Sequence, residues 1–192
     1  MDGVTQKEIR QESLINMLKK IHAAKANDFA QRQVVMLARD YQRPYRGARS
    51  VVGFRYMLPG DPYVKELMSS PDRETEKDLF FRIACIMAKH KSGSVSLPGF
   101  LRRRYWGADE KSSIRKRIEY MLAEEDLEDA MQEIYRNLNI AMAQGVNINI
   151  YGLGKDLIDW SFETRERWAG VIAGSGVIDD TDDTDGNENN NE

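Results

Sequence analysis

Hydrophobic residues recur at three- and four-residue intervals along almost the whole chain, which is the spacing of amphipathic α-helices. In residues 5–25 a stripe of isoleucine and leucine follows Thr5 and Glu8, a pair with the spacing of a capping box. The same periodicity runs through residues 127–142, and Gly145 supplies a C-terminal stop for this longest helix. The pattern predicts an all-α fold.

About eight or nine helices follow from this pattern and its breaks. Pro44 and Pro59 disfavour helical geometry in the residues before them, so they end the second and third helices. Ser96 is a candidate N-cap for the helix that enters LPGFLRRRYW. The predicted helices cover about 5–25, 29–41, 48–57, 75–89, LPGFLRRRYW, SSIRKRIEYMLAEE, 127–142 and two short segments near 153–160 and 162–168.

The breaks also predict a two-lobed bundle with a tail. The segment KSGSVS interrupts the helices, so we expect an N-terminal lobe over residues 1–91 and a C-terminal lobe over residues 96–174. Residues 175–192 hold seven acids and no base and lack the apolar surface that offsets chain entropy, so a disordered acidic tail is expected. The stretch VNINI carries a short indication of extended backbone.

The acidic tail makes the net charge of the whole chain negative, although residues 1–174 are basic on balance. The 192-residue chain has a net charge of −3, but without the tail 28 basic residues face 24 acidic ones. No apolar run approaches the ~20 residues needed to cross a bilayer. The N-terminal residues lack the pattern of a signal peptide, and the one cysteine, Cys85, has no partner for an internal disulfide. We therefore expect a cytoplasmic protein without membrane contact.

Few residues are suited to catalysis. The chain has two histidines, and Cys85 lies in an apolar helix where a thiol behaves as a small hydrophobic group. No histidine, cysteine or carboxylate spacing typical of a metal site is present. The sequence therefore favours a protein that is not an enzyme and has no cofactor or metal.

The stretch GLGK, at residues 152–155, is not a nucleotide-binding loop. Such a loop needs an earlier glycine where this chain has Asn149, and a serine or threonine where it has Asp156. We expect Gly152 and Gly154 to allow close approach of neighbouring helices instead. The aromatic residues that follow have the spacing of two short packed helices, so Trp160, Phe162 and Trp168 are predicted to be core residues.

Arginine-rich segments are the feature most informative about function. Residues 32–49 hold five arginines against one acid, and residues 100–117 hold seven bases against two acids, with aromatic residues interleaved in both. Guanidinium groups form forked hydrogen bonds to phosphate and stack on bases. Two such segments indicate a groove for a polyanion, unless the bases simply pair with the acids of residues 119–133. The candidate nucleic-acid-binding residues are Arg39, Arg43, Arg46, Arg49, Arg102, Arg103, Arg104, Arg115, Lys116, Arg117, Arg136 and Lys155.

Over residues 80–172 the chain resembles CasB, the small subunit of the type I-E CRISPR effector complex Cascade. The resemblance is carried by LFFRIACIMAKH, SLPGFLRRR, SSIRKRIEYMLAEE and above all IYRNLNIAMAQGVNINIYGLGKDLIDW followed by ERWA. In the first half, VVMLARDYQRP and VGFRYMLPG lie where the family has an arginine-bearing helix and an aromatic-rich helix. The segment AEEDLEDAMQE is more acidic than a binding face should be, so part of that helix is expected to point away from nucleic acid.

The resemblance implies an all-helical, non-catalytic protein present as two copies in each complex. Its basic surfaces would lie along the guide RNA and help to hold the target and displaced DNA strands after the guide has paired. Its partners would be crRNA, both DNA strands, the large and backbone subunits of Cascade and a second copy of itself. On that pattern Arg39 lies on the first arginine helix, Arg115, Lys116 and Arg117 lie on the second, and Arg136 lies on the long helix after it.

Two other functions remain open at this point. The helices could form a purely structural bridge between protein subunits, with the arginines paired to acids of the neighbours. Alternatively, the protein could be a free-standing helix-turn-helix regulator, which would read a specific DNA half-site without RNA.

Overall fold

The structure, a computed structural model, describes residues 5–26, 28–45 and 51–175. Within these ranges the all-α prediction is confirmed, and one isolated parallel β-bridge, Val95 to Ile148, lies at the stretch where the sequence indicates extended backbone. The predicted tail beyond residue 175 lies outside the described residues. The helices are α1 (Gln6–Ala24), α2 (Asp28–Arg39), α3 (Val51–Met57), α4 (Pro62–Ser69), a 3₁₀ helix (Pro71–Arg73), α5 (Glu74–Lys89), α6 (Leu97–Trp106), α7 (Ser113–Ala123), α8 (Leu127–Ala143), α9 (Ile150–Ile158) and α10 (Phe162–Ala173).

Side-chain caps define where most of these helices begin. The predicted capping box is present, because Thr5 Oγ1 accepts from the backbone N–H of Glu8 at 3.2 Å and Glu8 Oε2 accepts from that of Thr5 at 2.7 Å. Ser96 caps α6 as predicted, by accepting from the backbone N–H of Gly99. Five further N-cap side chains act in the same way, namely Asp61, Ser112, Asp126, Asn149 and Ser161.

Helix α4 is absent from the sequence prediction. The run Pro59–Gly60 indicates a break, and the segment after it is too short to show a clear apolar period. The structure shows that Asp61 Oδ1 accepts from the backbone N–H of Val64 at 2.8 Å and that Pro62 occupies the first helical turn. Proline favours that position because its fixed φ suits a helix start and its missing N–H is not needed there.

The long apolar helix α5 is the centre of the core. Nine consecutive residues, 80–88, are buried on every side of it, and α1, α2 and α9 pack against it. A helix that is hydrophobic all round is one enclosed by neighbours. None of the helices in the described ranges is both long and apolar enough to cross a membrane.

Gly154 allows α9 to approach α1 and α5 closely, as predicted. A Cβ atom at this position would lie 3.2–3.3 Å from side-chain atoms of Leu14, Leu18 and Ile83. Gly152 has a different role, since its neighbour is the side chain of Asn149, the N-cap of its own helix. GLGK thus lies inside a helix, and α9, from the second predicted lobe, packs into one core with helices of the first.

The tryptophan pair confirms part of the aromatic prediction. Trp168 is fully buried, its Nε1 donates to Asp156 Oδ2 at 2.7 Å, and the half-buried Trp160 ring meets it edge-to-face at 5.2 Å. Phe162 is 64% exposed, so its assignment to the core is wrong. The helical period does not continue across the turn at Asp159, so spacing to the preceding helix does not fix the face on which Phe162 lies.

Cys85 on α5 and His90 just after it are buried titratable side chains without an ion-pair partner among the described residues. Cys85 is fully buried and burial raises the pKa of its thiol, as expected for a small hydrophobic group. His90, just after α5, is 6% exposed and meets the ring of Tyr41 at 5.1 Å. Burial, together with the smaller effect of the charges of Lys89 and Lys25, lowers the pKa of His90 to about 4.

This histidine should make the fold sensitive to mild acid. In the unfolded chain a histidine binds a proton near pH 6.5, whereas folded His90 stays neutral down to about pH 4, so the unfolded state gains protons first and stability falls as pH falls through this window. From pH 7 to 5.5 we expect the wild type to lose about 1 kcal/mol more unfolding free energy than His90→Phe. Urea unfolding of both proteins at the two pH values measures the difference, and equal losses would contradict the assignment.

Candidate nucleic-acid interface

Three arginines from three successive helices gather around one carboxylate, Glu133 of α8. Arg136, one turn later on α8, places Nη1 2.8 Å from Glu133 Oε2. Arg117 of α7 approaches the same oxygen, with its Nε at 3.9 Å. Arg104 of α6 lies within electrostatic range of the other three groups. We call these four residues the Glu133 cluster.

Asn137 connects two members of the cluster. It is fully buried, and its Nδ2 donates to the backbone oxygen of Glu133 at 2.8 Å and to Glu133 Oε1 at 3.1 Å. Its Oδ1 therefore accepts, and the donor is Arg104 Nη1. Breaking any of these hydrogen bonds would leave a buried polar group unpaired, which costs free energy. The network therefore fixes the position of the Arg104 guanidinium.

The cluster is incompletely neutralised. Guanidinium groups stay protonated at neutral pH, so three positive charges face one carboxylate. Burial lowers the pKa of Arg104, Glu133 raises it, and the charges of Arg117 and Arg136 lower it again. The side chains of Arg117 and Arg136 remain 42% and 49% exposed. The arrangement can therefore accept an anion, and forked guanidinium donors match phosphate oxygens.

The first basic segment reaches a cleft that the cluster borders. This cleft has a volume of about 660 Å³ and is lined by Arg136 of α8 and by Gln42, from the connection between α2 and α3. Gln42 directly precedes Arg43 and lies three residues after Arg39, the last residue of α2. The first segment therefore reaches this cleft through Gln42, whereas the second segment, residues 100–117, supplies no lining residue and is connected to the cleft through the approach of Arg117 to Glu133 beside Arg136.

Two candidate arginines of the first segment, Arg39 and Arg43, lie within the described residues, and both are exposed. The Nη1 atom of Arg43 lies 3.5 Å from Oδ1 of the buried Asp40, a distance at the limit of a hydrogen bond. Arg46 and Arg49 lie outside the described residues.

The remaining bases predicted from charge are not gathered into the cluster. Arg103 and Lys116 are exposed on α6 and α7, and neither has a partner among the described residues. Arg102 packs beside Gly174, where an added Cβ would lie 3.2 Å from its Nη2. Lys155 is half-buried in α9, which packs against α1 and α5.

Arg115 is occupied within the subunit. Its Nε donates to the backbone oxygen of Tyr105 at 2.9 Å, and its guanidinium lies 5.0 Å from the ring centre of Tyr105 and 5.6 Å from that of Trp106. These contacts join α7 to the end of α6 through a hydrogen bond and cation–π attraction. A role for Arg115 in nucleic-acid binding stays a prediction, and its contacts give it a structural role.

The acids of residues 119–133 are closer to the candidate site than the sequence indicates. The alternative in which bases pair with these acids holds for Arg117 and Arg136, which share Glu133. Glu133 therefore does not point away from the arginines but lies among them. Asn137 was missed altogether, although Glu133, Arg136 and Asn137 have the three- and four-residue spacing of one helix face.

Metal chemistry finds no support in the described part of the chain, where no group of three or more histidine, cysteine, aspartate or glutamate side chains could hold an ion.

Comparison with known proteins identifies the family. The family described as CRISPR-associated protein Cse2 matches residues 36–170, which is more than half of the chain and includes every member of the Glu133 cluster. No curated protein and no solved structure gives a significant match. The match confirms the resemblance seen in the sequence: the chain belongs to the Cse2 (CasB) family, the small subunits of type I-E Cascade.

Proposed function

We propose that this Cascade small subunit grips the sugar–phosphate backbone of crRNA and target DNA and stabilises the R-loop and its displaced strand. The observation that carries the proposal is the Glu133 cluster, in which three guanidinium groups lie around one carboxylate: Arg136 is bonded to it, Arg117 approaches it and Arg104 is within electrostatic range. Three arginines close together repel one another, which costs stability. If they served only the fold, we would expect further carboxylates nearby to offset this repulsion. A phosphate supplies the missing negative charge.

The proposed grip is independent of sequence and needs no catalysis. In RNA-guided recognition, base pairing reads the target and protein contacts hold the backbone. Exchange of a DNA duplex for an RNA–DNA duplex is nearly balanced in free energy, so a few backbone contacts can shift it. The protein therefore acts as a non-catalytic, cytoplasmic scaffold that contributes charge at a fixed position.

The wider interface extends from the cluster across the cleft. Arg43 directly follows Gln42, which lines the cleft, and Arg39 lies three residues before it, while Arg103 and Lys116 add exposed charge on α6 and α7. In the assembled complex, with crRNA, the large and backbone subunits and a second copy of this chain, these side chains would continue the basic track beyond one subunit.

A matched pair of single substitutions tests the proposal. Arg136 is about half exposed and paired with Glu133 at 2.8 Å, and Arg167 is about half exposed and paired with Asp156 at 2.5 Å. We expect Arg136→Gln to weaken target-DNA binding by assembled Cascade about fivefold, since an ion contact of a half-exposed side chain contributes up to about 1 kcal/mol, and Arg167→Gln to leave it unchanged. Equal effects of the two substitutions on the dissociation constant would remove the cluster from the interface.

A structural bridge between protein subunits is the second candidate. It is favoured by three large aromatic side chains left in solvent, Trp106, Tyr120 and Phe162, which are 57%, 71% and 64% exposed. If this is the only role, Arg136→Gln assembles normally and binds DNA normally, whereas Tyr120→Ser and Phe162→Ser reduce incorporation of the subunit into the complex.

A further inference from the structure

One stripe of α8 lines the cleft beside the Glu133 cluster. Gln132, Arg136, Asn139 and Ala143 recur at intervals of four, three and four residues, so they lie on one face of the helix. The amides of Gln132 and Asn139 face the same space as Gln42, and none of the three has a hydrogen-bond partner among the described residues. Apolar surface is supplied by Met131, Ile140 and Ala143.

The other charges of the cleft are already neutralised. Arg82 is 8% exposed, and its guanidinium lies 2.6 Å from Asp78 and 2.9 Å from Glu128. Arg136 is the member of the lining that belongs to the under-neutralised cluster. The lining of the cleft therefore combines uncharged amides with neutralised charges, and its excess positive charge lies at Arg136, where it meets the cluster.

We propose that this cleft binds one unpaired nucleobase of the strand whose phosphate lies on the Glu133 cluster. The inference rests on the proposed function and adds a base subsite to it. Asparagine and glutamine amides offer a donor and an acceptor side by side, which is the pattern that matches the edge of a base. The volume of about 660 Å³ lies within the range of ligand pockets and accommodates a planar heterocycle.

Arg136 connects the two subsites. Its side chain belongs to both the cluster and the lining of the cleft. A nucleotide whose phosphate is bound by Arg136 can therefore place its base in the cleft, beside Gln132 and Asn139. An unpaired base exposes its full edge and one face, whereas a paired base does neither. The base can come from the displaced DNA strand or from an unpaired part of the guide RNA, and the chemistry of the cleft is the same for both.

An abasic scan separates base binding from backbone binding. Abasic sites keep every phosphate, so they are placed one at a time in the displaced strand of target DNA and, in a second series, in unpaired positions of the guide RNA. We expect one position for each copy of the subunit, all in one series, to weaken binding by assembled Cascade about tenfold, and that series identifies the source of the base. With Gln132→Leu/Asn139→Leu in the complex, intact and abasic strands should bind equally at that position.

The outcomes distinguish this inference from the proposed function. Gln144→Leu, an exposed glutamine at the end of the same helix and outside the cleft, is the control and should leave the scan unchanged. A flat scan in both series, or a sensitive position that persists in the double variant, overturns the base subsite even if Arg136→Gln still weakens binding. Reduced assembly of the double variant assigns the cleft to a neighbouring protein subunit and equally overturns it.

Discussion

A Cascade complex carrying Arg117→Glu/Arg136→Glu is expected to bind target DNA about 100-fold more weakly than the wild type. The two substitutions change the Glu133 cluster from an excess of two positive charges to an excess of two negative ones, so phosphate contacts of about 1 kcal/mol each are lost and replaced by repulsion. The fold should persist, because both side chains are more than 40% exposed. Equilibrium binding of labelled duplex target at low ionic strength measures the effect.

The control for this pair carries the same change of charge elsewhere. Lys65, exposed on α4, and Arg167 on α10 are replaced together by glutamate. Long-range attraction between a complex and DNA depends on total charge, so a loss of similar size in the control would attribute the effect to net charge rather than to the cluster.

Replacing Trp168 by alanine is expected to lower the free energy of unfolding by about 3–5 kcal/mol. Trp168 is fully buried, its indole nitrogen donates to Asp156, and its ring contacts Trp160. The substitution therefore leaves a cavity beside Trp160 and an unpaired oxygen on the Asp156 carboxylate. Urea unfolding followed by far-ultraviolet circular dichroism measures the loss.

Phe162→Ala is the matching control, since this aromatic residue is 64% exposed on the same helix. Substitutions of exposed side chains usually change stability by less than about 0.5 kcal/mol. A large loss of unfolding free energy for Phe162→Ala, or a small one for Trp168→Ala, would contradict the assignment of Trp168 to the core and Phe162 to the surface.

The fold could be predicted largely because local signals agree with the packing. The Thr5–Glu8 box and the Ser96 cap specify helix starts from side chains within three residues, and both are present. Phe162 and α4 were mispredicted because each follows a break, at Asp159 and at Pro59–Gly60. Beyond a break the helical phase restarts at a cap, and periodicity no longer indicates which face is buried.

The candidate site could be predicted only as segments. Charge identified the arginine-rich stretches, but it could not distinguish Arg115, which packs on Tyr105, from Arg117, which approaches Glu133. That distinction depends on how α6, α7 and α8 meet in space. In the sequence, the acids near Glu133 argued against a binding role for this helix. A carboxylate that lies among several arginines cannot be distinguished, from sequence alone, from one that simply neutralises them.

The salt dependence of binding tests the central claim most directly. Each phosphate of a single strand that the protein neutralises releases counterions and contributes about −0.7 to the slope of log affinity against log salt. If Arg117 and Arg136 both hold phosphates, Arg117→Gln/Arg136→Gln should reduce the magnitude of that slope by about 1.4 per subunit. An unchanged slope, in complexes that assemble normally, would show that the Glu133 cluster does not bind the polynucleotide.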